Sequence, residues 1–252
     1  MAHGQVPFRV SERLKRIAAA LETVVVVCAL ALVAACGPSV PDVQPARDSL
    51  AAVSAEADPT PMGTAAQAET LLVDVQSLAP DIVVEMRYAT ANNFTGAPLP
   101  GYEANRALFR REAAAALARV QQRLEQDGLG LKVFDAYRPV RATRGMMEWT
   151  ERVGREDLVR DGYIASQSRH NLGLAIDLTL VDLSTGHELE MGTPYDEFTA
   201  AAHTANAEGA VADRRRMLVE VMEAEGFTNY EQEWWHFSFP VPDPLRFDVI
   251  VR

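Results

Sequence analysis

The stretch Ser168-Arg169-His170-Asn171-Leu172-Gly173-Leu174-Ala175-Ile176-Asp177 constrains the chain more than any other. From Leu174 to Leu180 apolar residues alternate with small or polar ones, the period-2 pattern of a half-buried strand. Leu174, Ile176, Leu178 and Leu180 then share one face, and Ala175, Asp177 and Thr179 share the other. Asp177 is therefore expected to point away from the apolar layer. Gly173 lets the chain bend between His170 and the strand. A second stretch, Glu233-Trp234-Trp235-His236-Phe237-Ser238-Phe239, is aromatic and strand-like, and adds a histidine and a carboxylate.

Two histidines and one aspartate are a common ligand set for catalytic zinc, leaving a fourth position for water. On that reading His170, Asp177 and His236 bind one zinc ion per chain, and Glu233 is free to act as general base. The alternative from the residues alone is a buried His170–Asp177 pair, with His236 a satisfied core histidine. His187, in the polar turn Ser184-Thr185-Gly186, reads as solvated; His203 lies in the Ala-rich stretch Thr199 to Ala210, which reads as a mobile flap. Trp234 and Trp235 read as core. On a flat strand, residues three apart face opposite ways. Either Glu233 precedes its strand, then, or a bulge separates it from His236.

The pattern Ser-x-His-x-x-Gly-x-Ala-x-Asp followed by Glu-x-x-His resembles the zinc D-alanyl-D-alanine dipeptidases, within the larger group of D-Ala-D-Ala peptidases. Tyr88-Ala89-Thr90, Asn93-Phe94-Thr95-Gly96, Gly101-Tyr102-Glu103, Asp135-Ala136-Tyr137-Arg138-Pro139 and Met191-Gly192 extend the likeness over roughly Leu72 to Asp248. The resemblance implies that Arg138 lies beside the metal and stabilises the oxyanion of the transition state, a task suited to a fixed guanidinium. It also implies that Tyr163, Ser168 and Asp196 contact the dipeptide, Asp196 pairing with its ammonium group. From the residues alone, Arg138 could instead form a structural ion pair with Asp135. Two departures bear on specificity: Arg169 is bulky beside a ligand, and Thr199 to Ala210 does not align with the family.

The chain begins with a targeting signal. Arg9, Arg13, Lys15 and Arg16 precede an apolar run from Val24 to Ala35, too short for a membrane span. The run ends Val33-Ala34-Ala35-Cys36, which resembles the lipobox of bacterial lipoproteins. Cleavage before Cys36 would leave a lipid-bearing cysteine and no second cysteine for a disulfide, since Cys28 lies in the removed segment. Gly37 to Ala68 is rich in Pro, Ala, Ser and Asp, and reads as a disordered tether. The expected organisation is a lipoprotein signal peptide over 1–35, lipidated cysteine and linker over 36–70, and a zinc peptidase domain over 71–252. The protein would face the periplasm as a membrane-anchored lipoprotein, with the outer membrane favoured because Gly37 follows the cysteine.

Within the domain, strands are expected at Ile82–Tyr88, Leu131–Ala136 and Trp234–Phe239, and helices at Asn105–Asp127, Pro139–Val153 and Ala212–Glu225. Strands and helices do not alternate regularly, so the expected class is α+β: one domain with a mixed or antiparallel sheet and flanking helices. A hydrophobic content of 48% suffices for a sizeable core, and a net charge of -11 excludes nucleic acid as a natural partner. The expected activity is hydrolysis of D-Ala-D-Ala in cell-wall peptide turnover. A D,D-carboxypeptidase acting on longer wall peptides and a non-catalytic, zinc-bound wall-binding lipoprotein are the alternatives; Glu233 argues against the latter, because a closed structural site needs no base.

Overall fold

A computed structural model describes residues 59–252. The stretch read as a signal peptide, Cys36 and most of the stretch read as a tether lie outside the described residues. Helix α1 (Ala65–Leu71) leads into strand β1 (Leu72–Asp74), followed by β2 (Val83–Val84), β3 (Leu108–Arg110), α2 (Arg111–Glu125), β4 (Leu129–Asp135), α3 (Val140–Val153) and the short α4 (Asp157–Arg160). Strand β5 (Ala175–Asp182), helix α5 (Gly209–Glu223) and the strands β6 (Thr228–Tyr230) and β7 (Glu233–Ser238) complete the chain. The class is α+β, as expected.

Among the described residues, five strands form one sheet in the order β2-β4-β5-β7-β6, and β1 pairs with β3 apart from it. β2 runs parallel to β4; every other pairing is antiparallel. The core lies between this sheet and α2, whose Ala113, Leu117, Val120 and Leu124 are buried at helical spacing. Leu131, Val133, Leu178 and Leu180 are fully buried strand residues. Each such leucine or valine contributes roughly 1.5–3 kcal/mol relative to exposure, so this packing, rather than the short outer elements, holds the domain together.

Register positions the chemistry. Asp135 on β4 sits opposite Asp177 on β5, and Asp177 sits opposite His236 on β7. Three polar side chains thus line up across three neighbouring strands at the centre of the sheet.

Several elements differ from the sequence reading. Strand β5 is buried on both faces, not half-buried, because the segment leading to Tyr195 folds back over the Asp177 face and stacks Tyr195 on Phe134. The helix expected from Asn105 begins only at Arg111; Leu108–Arg110 is a strand because it pairs with Leu72–Asp74, a partner far away in sequence. The strand expected over Ile82–Tyr88 shrinks to Val83–Val84, and Arg87–Ala89 turns as a 3-10 helix. The described residues ahead of 71 are already folded. Thr64 caps α1 in a reciprocal capping box with Gln67, Ala68 is buried, and Gly63 donates to the Arg246 carbonyl.

Candidate active site

His170 lies on a 3-10 turn, Arg169–Leu172, between Ser168 and Gly173. The Ser168 hydroxyl accepts the His170 N–H at 3.3 Å, and Gly173, at φ +64°, closes the turn in the left-handed region that glycine enters without strain. Two bonds pin the turn: Arg138 N–H donates to the His170 carbonyl at 3.1 Å, and the Asn171 amide donates to the Arg138 carbonyl at 2.8 Å.

The His170 ring is oriented by its far nitrogen. Nδ1 lies 2.7 Å from the Ala136 carbonyl oxygen, which can only accept, so Nδ1 carries the proton. Nε2 therefore presents a lone pair. It faces His236 Nδ1 at 3.2 Å and Asp177 Oδ1 at 3.4 Å, and those two atoms are 2.9 Å apart. Among the described residues, these three form the one group of histidine, cysteine and acidic side chains placed to hold a metal ion. Ligand atoms held about 2.0–2.2 Å from a tetrahedral zinc stand roughly 3.3–3.6 Å apart. The donor set fits such an ion, and a cation would reconcile two ring nitrogens that otherwise compete for one proton.

Electrostatics prepare the ligands. Burial opposes charge on Asp177, but positive charge on the His170 and His236 rings, where no metal takes their lone pairs, outweighs it and holds the carboxyl well below the usual range; a cation on the same donor atoms acts in the same direction. Burial pushes the His236 ring below its ordinary value, against the pull of Asp177, which keeps it neutral as a ligand must be.

Glu233 Oε2 lies 3.7 Å from His236 Nδ1, so both side chains reach the same site although they are three residues apart. The register explains this. Asn229 pairs with Phe237 but Tyr230 pairs with Glu233, so β7 carries extra residues against β6, Trp234 to His236, between Glu233 and Phe237. The bulge is thus the alternative the structure takes: Glu233 lies inside β7 as its first residue and does not precede it. Burial, then Asp177 and Asp196, push its carboxyl well above the ordinary range. A cation on the three ligands would oppose that shift.

Arg138 forms the ion pair with Asp135 and also stands beside the ligand cluster. It is buried, its Nε and Nη2 meet Asp135 Oδ2 at 2.9 and 2.8 Å, and Nη2 stands 3.9 Å from Asp177 Oδ2. Asp135, itself fully buried, also accepts the Tyr102 hydroxyl. The ion pair is the device that fixes the guanidinium beside the cluster.

These groups share one pocket of about 250 Å³, whose lining includes Tyr163, Ser168 and Asp196. Asp196 stands at φ +62°, an uncommon conformation for a residue with a side chain. Its Oδ1 accepts the Tyr88 hydroxyl at 3.0 Å, while its Oδ2 is buried with no hydrogen-bond partner. Burial, reinforced by Asp177, raises its carboxyl to about 8. An arriving cation would favour the ionised carboxylate and give the orphaned oxygen a partner. Tyr163 lines the pocket with its hydroxyl 3.1 Å from His203 Nε2.

His203 is thus a partner of Tyr163, apart from the three ligand atoms, and His187 is exposed in its turn. The stretch read as a mobile flap is held down: Arg215 donates to the carbonyls of Ala201 and His203. Arg169 is tied to the Phe239 carbonyl at 2.8 Å. Both tryptophans are buried, and Trp235 also forms part of the pocket wall. Sequence reasoning named Asp135 only as an ion-pair partner of Arg138 and missed Tyr88, Tyr102 and Tyr195 as site residues. Tyr88 and Tyr102 stand inside the quoted family motifs, which was their only signal.

The family model described as D-ala-D-ala dipeptidase matches residues 68–245. The chain belongs to that family. As a member of it the chain is a metallopeptidase. A D-alanyl-D-alanine dipeptidase of Streptomyces coelicolor is 37% identical over 187 residues, which are 67% of this chain and 93% of the relative. One of Enterococcus faecalis is 38% identical over 177 residues, 63% of this chain and 88% of the relative. One of Escherichia coli is 36% identical over 173 residues, 68% and 86% respectively. The family match thus covers every pocket residue discussed above, from Tyr88 to His236.

Proposed function

We propose that this chain is a zinc-dependent dipeptidase that hydrolyses D-alanyl-D-alanine to two D-alanines. The observation that carries the reading is the convergence of His170 Nε2, Asp177 Oδ1 and His236 Nδ1 in a pocket that also holds Glu233, Arg138 and Asp196. Zinc on those three atoms supplies Lewis acidity, lowering the pKa of water and polarising the scissile carbonyl. Glu233, raised and buried, takes the proton of the attacking water and later delivers one to the leaving amine. The Arg138 guanidinium faces the charge that develops on the carbonyl oxygen. The unpartnered Asp196 Oδ2 receives the substrate ammonium. Ser168 uses its hydroxyl oxygen to cap the His170 turn, leaving its proton for the substrate, and Tyr163 supplies the outer wall.

Size favours a dipeptide. The pocket of about 250 Å³ falls below the roughly 300–1,000 Å³ of sites for drug-sized ligands. A carboxylate aimed at an ammonium also selects a substrate whose free amine lies one residue from the scissile bond. Incubating the zinc-loaded protein with D-Ala-D-Ala and with a wall pentapeptide ending in D-Ala-D-Ala should release D-alanine rapidly from the dipeptide alone. Faster release from the pentapeptide would assign the chain to the carboxypeptidases.

The location belongs to the same proposal: export, lipid on Cys36, and turnover of wall-derived D-Ala peptides in the periplasm. The basic segment, the apolar run and Val33-Ala34-Ala35-Cys36 support it. An anchored enzyme cannot reach a cytosolic D-Ala-D-Ala pool, so turnover or scavenging fits better than removal of a wall precursor. Fractionation should place the wild type with membranes and Cys36→Ser in the soluble fraction; a cytosolic wild type that retains residues 1–35 would overturn the location.

A further inference from the structure

We propose that Tyr195 is a positioning residue for the metal ligand Asp177 and that, through Tyr88, it ties that ligand to the ammonium-binding carboxylate Asp196. The proposal rests on the metal site and the Asp196 role given above.

Asp177 has two carboxylate oxygens with different duties. Oδ1 faces the two ring nitrogens. Oδ2 accepts the Tyr195 hydroxyl at 3.0 Å. The same hydroxyl lies 3.1 Å from the Tyr88 hydroxyl, which in turn lies 3.0 Å from Asp196 Oδ1. A continuous line of polar contacts therefore runs from the ligand to the substrate end of the pocket, through two phenols and no other side chain.

Packing leaves Tyr195 little freedom. Its ring stacks on Phe134 at 4.8 Å, meets Trp235 edge-on at 5.4 Å and lies 6.2 Å from the Tyr88 ring. A ring held on three sides delivers its hydroxyl to a fixed point, so Asp177 is held with one oxygen turned toward the rings. Groups that hydrogen-bond a metal ligand in this way typically alter metal affinity or activity by about 10–100-fold.

Proton inventory makes the line directional. The Tyr195 proton has two acceptors in reach, Asp177 Oδ2 and the Tyr88 oxygen, and the ionised ligand carboxylate is the stronger of the two. The single Tyr88 proton has two acceptors in reach, Asp196 Oδ1 and the Tyr195 oxygen. When an ammonium group occupies Asp196 Oδ2, the carboxylate competes less for that proton and Tyr88 can turn it toward Tyr195. A phenol that accepts a hydrogen bond donates a stronger one. Occupation of the substrate end thus tightens the hold on Asp177.

The test is zinc affinity by chelator competition on the metal-free protein, with folding followed by near-ultraviolet circular dichroism. Tyr195→Phe removes one oxygen and keeps the ring; it should fold as the wild type and bind zinc about 10-fold or more weakly, with kcat falling and KM little changed. Tyr88→Phe should weaken zinc binding less, and should add nothing in the Tyr195→Phe background, because its influence passes through Tyr195. Wild-type zinc affinity in Tyr195→Phe, or additive losses in the double variant, would overturn the proposal. His170→Ala serves as the control. If it too binds zinc normally, the assignment of the metal site fails; if it loses zinc while Tyr195→Phe does not, only the role of Tyr195 fails.

Discussion

Replacing Glu233 by alanine should abolish nearly all hydrolysis of D-Ala-D-Ala while zinc remains bound. The ligand atoms belong to His170, Asp177 and His236, and Glu233 Oε2 reaches the cluster only at 3.7 Å from His236 Nδ1. Losing it takes away the proton carrier and leaves the donors. Positioned general acid–base groups contribute about 10²–10⁴-fold, so kcat should fall by at least that much. The fold should not suffer through a lost ion pair. Glu233 is buried, and burial together with Asp177 and Asp196 already works against its charge. The sign for activity follows from the role of Glu233 as base. A carboxylate base is idle once protonated at acid pH, so the rate should rise as pH increases through its pKa in the zinc-loaded enzyme. Near wild-type turnover in Glu233→Ala, with zinc still present, would mean that another group moves the proton.

Arg138→Ala should have two separable effects. Turnover should fall on the order of 10²-fold or more if the guanidinium acts on the developing oxyanion. Stability should fall as well, because Asp135 is fully buried and takes two of its close contacts from Arg138, at 2.9 and 2.8 Å. Stranding one member of a buried ion pair costs about 3–5 kcal/mol. Lysine at this position would restore a charge but not the fork that meets Asp135 through two nitrogens, so Arg138→Lys should recover some stability and little turnover. Urea unfolding and steady-state kinetics on both variants check this. An Arg138→Ala enzyme that is destabilised but turns over normally would make Arg138 purely structural.

Much of the site was legible because its residues are local and chemically unusual. His170 and Asp177 lie seven residues apart around a glycine, and Glu233 and His236 lie three apart beside two tryptophans. The fold was legible where periodicity is set by nearby residues, as along Ala113 to Leu124. It was misread where distant partners decide. Leu108–Arg110 is a strand only because Leu72–Asp74 lies beside it, and β5 is covered on both faces only because Tyr195 returns to stack on Phe134. The onset of the domain was written in Thr64-x-x-Gln67, a capping box overshadowed by the surrounding composition. Tyr195 could not be read at all. Its significance comes from contacts with Asp177, Tyr88 and Phe134, none of them adjacent in sequence.

The ligand assignment also orders these roles. Asp135 fixes Arg138, Ala136 fixes the His170 tautomer, and the β5–β7 register brings His236 to Asp177. Each serves the point where the three donor atoms converge. Zinc content per chain, measured by metal analysis on purified wild type and on His236→Ala, therefore tests the account most directly. The wild type should carry one zinc per chain and His236→Ala should carry almost none. A full equivalent of zinc in His236→Ala would contradict the assignment.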